Sequence, residues 1–196
     1  MRNTAGMMAI GGLLALMGGR AMAQTEAKPL PAAQLLASAQ KQAGREHKNV
    51  LVMFHASWCG WCKRLETVMD RPEYKKLFAD NYVVVPLDVS ENGPKKALEN
   101  PGADKMMSDL GGEKSGLPFY AFLDAKGKKL ADSNVMPPKE GTPQNIGYPG
   151  SRDEIAAFDA LLKQTAPKMK ADARKNLVDY LTQNTPTPAT NTPAPH

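Results

Sequence analysis

The chain has 196 residues, 42% hydrophobic and 23% charged, with 25 Lys and Arg against 20 Asp and Glu. That length suits one domain with a real core and is short for two, and the composition excludes a disordered polymer and a membrane-embedded bundle. The formal charge of +5 is spread through interspersed lysines and acids, with no basic block interleaved with aromatics, so nucleic acid is not an expected partner.

The first 23 residues do not read as part of a fold. Arg2 opens them, residues 6–19 are an apolar run, and Ala21-Met22-Ala23 puts small residues where a signal peptidase reads. The run is too short and glycine-rich to span a bilayer well. A cleaved signal peptide over 1–23 is therefore predicted, with a periplasmic or secreted destination. No cysteine lies near the junction to carry lipid. Cleavage would remove Arg2 and Arg20 and no acid, lowering the formal charge from +5 to +3.

Residues 24–31 read as a loose lead-in, and 32–166 as the folded domain. Leu35, Leu36 and Ala39 at helical spacing predict an amphipathic helix from Ala32 to about Arg45. Val50 to Phe54 is a continuous apolar run of strand length, suited to a central strand buried on both faces. A helix is expected from Cys59 to about Met69. Pro72 fits the first turn of another, with Asp70 as its cap. Tyr82 to Val89 reads as a second strand, completing a βαβ unit and arguing for a parallel pair. A helix is predicted around 103–110, a third strand over Phe119–Leu123, and a returning strand over 128–132 after the turn Asp124-Ala125-Lys126-Gly127. Four prolines and three glycines mark residues 136–150 as a loop. Ser151 with Glu154 forms a capping box for a helix whose apolar face is Ile155, Phe158, Leu161 and Leu162. Residues 167–183 are expected to add a helical extension, and 184–196, dominated by Pro, Thr and Ala, a disordered tail.

Two cysteines, Cys59 and Cys62, are the only ones in the chain. Export would place them where disulfides persist. A Cys-x-x-Cys pair where a strand gives way to a helix has a specific use. The first sulfur sits at the helix N-terminus, where unpaired N–H groups and the dipole favour a thiolate. The second lies one turn on and can resolve a mixed disulfide. A structural staple would close only a very short loop. A zinc site would lack a second pair, leaving Cys59, Cys62 and His55 as the least poor metal set. No metal or other cofactor is expected.

The segment LVMFHASWCGWCK, Leu51–Lys63, resembles the active-site segment of thioredoxins, and Gly116-Leu117-Pro118 matches the position of that family's cis-proline loop. The resemblance covers roughly 33–165. It implies an α/β thioredoxin-like fold, a central mixed sheet flanked by helices, here with an extra C-terminal helix. It implies that Cys59 attacks and Cys62 resolves, and that Trp58, Gly60, Trp61, Leu117 and Pro118 contact the substrate chain. Trp58 could alternatively pack beneath the motif, and His55 could tune it or merely close its strand. The family's buried aspartate corresponds to Met53 and its neighbouring lysine to Pro86, so both ionisable members of that pair are missing. The segments 88–118 and 136–150 are longer than their thioredoxin counterparts and are expected to set partner choice.

The implied activity is protein thiol–disulfide exchange by a monomer, with protein disulfides or dithiols as substrates and a membrane redox partner as electron source. Reductase is favoured over isomerase, because no dimerisation segment is visible. The alternative is a polypeptide- or copper-binding module of the same fold without turnover.

Overall fold

The computed structural model describes residues 28–139 and 142–186. The expected signal peptide, half of the lead-in and the tail from residue 187 lie outside them.

Strand β1 (Asn49–His55) runs at the centre of a four-stranded sheet, because its apolar run buries both faces. It pairs in parallel with β2 (Tyr82–Asp88) and antiparallel with β3 (Phe119–Leu123), and β3 pairs antiparallel with β4 (Lys129–Asp132), giving the order β2-β1-β3-β4. Pro86 is tolerated in β2 because that strand is an edge. Alternation along the strands makes two cores. Val50, Val52 and Phe54 face one way with Phe119 and Ala121, while Leu51 and Met53 face the other with Tyr120 and Phe122.

The first core is covered by α1 (Ala32–Glu46), through small Ala39 and Ala43, and by α4 (Ala103–Asp109), through Met107. The second is covered by α2 (Gly60–Met69), α3 (Pro72–Asn81), α5 (Arg152–Thr165) and α6 (Ala171–Gln183). The sequence thus folds as the mixed α/β sheet with flanking helices that its thioredoxin resemblance implies.

Two local expectations are corrected. Asp70 does not cap α3. It closes α2, its N–H bonding the Glu66 carbonyl, and Arg71 is the α3 N-cap. Pro72 fixes the first helical position, which leaves Asp70 one residue too far back. Residues 136–150 are not all loop, since β5 (Met136–Lys139) and β6 (Thr142–Gln144) form an antiparallel ribbon. Prolines suit a two-stranded ribbon, where many N–H groups need no ladder partner. Between β2 and α4, Gly93–Leu98 forms a 3-10 turn. The capping box at α5 is present, with the Ser151 N–H donating to Glu154 Oε2 at 2.8 Å. Against α3, Tyr180 of α6 packs on Tyr74 and under the Arg71 guanidinium.

Candidate active site

β1 ends at His55, and Ala56-Ser57-Trp58 carries the chain into α2. Cys59 is the N-cap of α2, with extended backbone, and its Sγ accepts the Cys62 N–H at 3.1 Å. The two cysteines are joined as a disulfide with Cα atoms 5.3 Å apart. Cys62 is fully buried and Cys59 only 4% exposed, so the second sulfur sits beneath the first. Unpaired N–H groups at this helix start favour negative charge on the Cys59 sulfur once the bond is reduced.

Trp58 and Trp61 flank the pair at 53% and 51% exposure. Trp58 is therefore surface rather than packing, held by its indole N–H donating to the Ser90 carbonyl at 2.8 Å. The Trp61 ring stacks on Tyr148, and the Arg64 guanidinium lies 5.0 Å from the Tyr148 ring centre. Met53 and Pro86 are direct register partners across β1 and β2. The position where thioredoxins keep an ionisable pair is thus apolar here. His55 is engaged by carboxylates: Nδ1 is 2.8 Å from Glu66 and Nε2 is 3.7 Å from Asp88. Burial pushes the Asp88 carboxyl up, opposed by His55.

The Leu117–Pro118 peptide is cis, and Leu117 packs against the small buried cluster formed by Ala56, Cys59 and Cys62. The five positions expected to contact substrate therefore gather around the disulfide: Trp58, Gly60 and Trp61 in the motif, Leu117 and Pro118 across from it. A cavity of about 600 Å³ opens beside them, bordered by Trp61, Gly116, Leu117, Asn145 and Tyr148.

Two residues at the site escaped the sequence reading. Glu91, 4% exposed, accepts the Ser57 N–H and, at 2.9 Å, the Ser57 hydroxyl. Those bonds hold its carboxyl below the usual range, with Lys95 adding to the effect. Lys95 also reaches the Ser57 hydroxyl at 3.0 Å. Asn145 donates through Nδ2 to the carbonyls of Gly116 at 2.7 Å and Pro118 at 2.9 Å, while its Oδ1 accepts the Gly147 N–H. Asn-x-Gly is a turn signal that could have marked Asn145 as structured. Nothing local marks Glu91.

A family model described as thioredoxin-like matches residues 32–125. Over 130 residues the chain is 28% identical to a protein disulfide-isomerase of Hordeum vulgare, covering 65% of this chain and 20% of that protein. Over 118 residues it is 26% identical to the disulfide bond reductase DsbH of Chlamydia pneumoniae, covering 57% and 70% respectively. Among solved structures, a disulphide isomerase from Xylella fastidiosa Temecula1 aligns with a TM-score of 0.46 and 19% identity, over 79% of this chain and 92% of that one. The chain spans about a fifth of the length of the plant isomerase it matches.

Proposed function

With residues 32–125 a thioredoxin-like domain whose relatives are disulfide oxidoreductases and isomerases, we propose that this protein is an exported thiol–disulfide oxidoreductase that reduces protein disulfides. The observation that carries the reading is the Cys59–Cys62 disulfide at the start of α2, with Leu117 packed against the small cluster that holds it. Export rests on the signal-peptide pattern of residues 1–23. No helix among the described residues is long and apolar enough to cross a membrane.

In the reduced protein, the Cys59 thiolate attacks one sulfur of a substrate disulfide, and the other substrate sulfur leaves with the electron pair. The Cys62 thiolate then attacks Cys59 Sγ and expels the second substrate sulfur as a thiolate. The substrate gains two electrons and the protein ends as its disulfide. A membrane-bound dithiol donor restores it, and the cycle runs on the two cysteines alone. Substrate docks with its chain against Trp58, Gly60 and Trp61 on one side and Leu117 and Pro118 on the other.

Replacement of Cys59 by Ser is expected to abolish exchange, and Cys62→Ser to accumulate substrate mixed disulfides on Cys59, read on non-reducing gels. Unchanged turnover in either variant overturns the assignment. The equilibrium reduction potential fixes direction: a value near −270 mV supports a reductase, and one near −120 mV an oxidase (approximate scale of known oxidoreductases).

A further inference from the structure

We propose that the 3-10 turn Gly93–Leu98, with Leu30 and Trp58 beside it, is a membrane-contacting face that rests on anionic lipid headgroups. The inference draws on exposure, charge and chain geometry, and it does not depend on the exchange reading above.

The turn contributes nothing to the core. Pro94, Lys95, Lys96, Ala97 and Leu98 are all exposed, and no residue of the element is buried. Leu98, at 46% exposure, therefore stays largely in water when the chain folds. Leu30 and Trp58 stand with it at 50% and 53%. Single exposed apolar residues are ordinary, whereas a group of them rimmed by polar residues marks an interaction surface.

Hydrogen bonds gather these residues at the carboxyl end of β2. Asn100 donates through Nδ2 to the Leu30 carbonyl at 2.9 Å, while its Oδ1 accepts the Asp88 N–H at 2.8 Å. The Trp58 indole donates to the Ser90 carbonyl, and Lys95 Nζ donates to the Ser57 hydroxyl. Segments 28–31, 57–58 and 90–100 are thus tied to one another, and their exposed side chains share one face.

Charge and chain direction both point to the occupant. Lys28, Lys95 and Lys96 are exposed at the rim. Two of the carboxylates among them turn inward: Glu91 is buried on Ser57, and Glu99, its side chain 13% exposed, pairs with Lys96 at 2.8 Å. Asp104, whose field reaches Lys96, is the acid exposed nearby. A cationic rim around apolar side chains is what an anionic lipid surface attracts. Eight residues, 20–27, separate the apolar run 6–19 from Lys28, and fully extended they reach at most about 29 Å. A chain still holding that run in a bilayer keeps this face within the same reach of the headgroups.

The test uses residues 24–196, which contain the whole described fold, and vesicles of phosphatidylcholine alone or mixed with phosphatidylglycerol. The protein should sediment with the mixed vesicles, shift its tryptophan emission to the blue, and be released as salt is raised. Lys95→Gln with Lys96→Gln is expected to weaken the partition by about fivefold for each lysine. Leu98→Ser should weaken it by about tenfold, because an apolar side chain no longer leaves water. Lys126→Gln with Lys128→Gln removes the same charge from the turn after β3, at the opposite end of the sheet. That pair should change the partition by less than about twofold, because distant charges are screened.

All the replaced side chains are exposed, so urea midpoints should match wild type, and lost binding then reports the face and not the fold. Absence of partition into the mixed vesicles overturns the proposal and leaves an acidic protein surface as the occupant. Equal binding to pure phosphatidylcholine overturns it as well. So does an equal fall in the two lysine pairs, which would reduce the effect to net charge.

Discussion

The two segments that border the cysteine pair, 89–116 and 133–150, hold it by different means. The first enters the core with Val89, Ala103 and Met107 and reaches the motif with an ion: buried Glu91 grips Ser57, with Lys95 on the same hydroxyl. The second reaches the facing loop with a neutral amide, Asn145, and with the Tyr148 ring. Glu91 brings a negative charge to Ser57, two residues before Cys59. An amide and a ring act on shape. The two segments thus meet the cysteine site through different chemistry, one charged and one neutral.

The sharpest way to break this comparison is to loosen the first segment from the core. Met107→Ala should cost about 2–5 kcal/mol, because it removes a buried side chain packed on the β1–β3 face. Urea unfolding would read it, and a loss under about 1 kcal/mol would mean that α4 is not seated as described. Crowding the same seat is expected to cost less. A Cβ on Gly112 would lie 2.5 Å from Phe119 and 2.8 Å from Met107, so Gly112→Ala should cost about 1–3 kcal/mol as the core shifts to admit it. An unshifted urea midpoint would contradict that.

The smallest effect separates ion from amide. Glu91→Gln keeps an acceptor for the Ser57 N–H and removes the charge. Because the Glu91 carboxyl is held below its ordinary value of 4.5, its contribution is fully present above that pH and is lost as pH falls through the lower folded value. The stability gap between wild type and Glu91→Gln should therefore be constant near neutrality and close in acid. The Cys59 thiol should titrate lower in the variant, since a nearby anion no longer opposes the thiolate. Thiol alkylation rates against pH check both the direction and the site. An identical profile would place the Glu91 charge out of reach of the sulfur.

The sheet and the cysteine site were legible because their signals are local. VLVMF, VVVPL and FYAFL are apolar runs bounded by turn residues, and the Cys-x-x-Cys pair follows the first of them directly. The Met53–Pro86 correspondence came from the thioredoxin resemblance, and the two residues are register partners across β1 and β2. The β5–β6 ribbon was hidden because prolines erase the alternation that announces a strand. Trp58 was undecided in sequence because its orientation depends on the Ser90 carbonyl, 32 positions away. Glu91 and Asn145 act on backbone groups 27 to 34 residues distant, and such contacts leave no periodic trace.

The placement of Trp58 and Trp61 has an optical consequence. They are the only two indoles in the whole chain, and both stand on the surface beside the disulfide. Intrinsic tryptophan emission is thus a local readout of the exchange site rather than an average over the molecule. Reduction of Cys59–Cys62, or the arrival of a bound chain against Trp61, should register in the spectrum with no label attached.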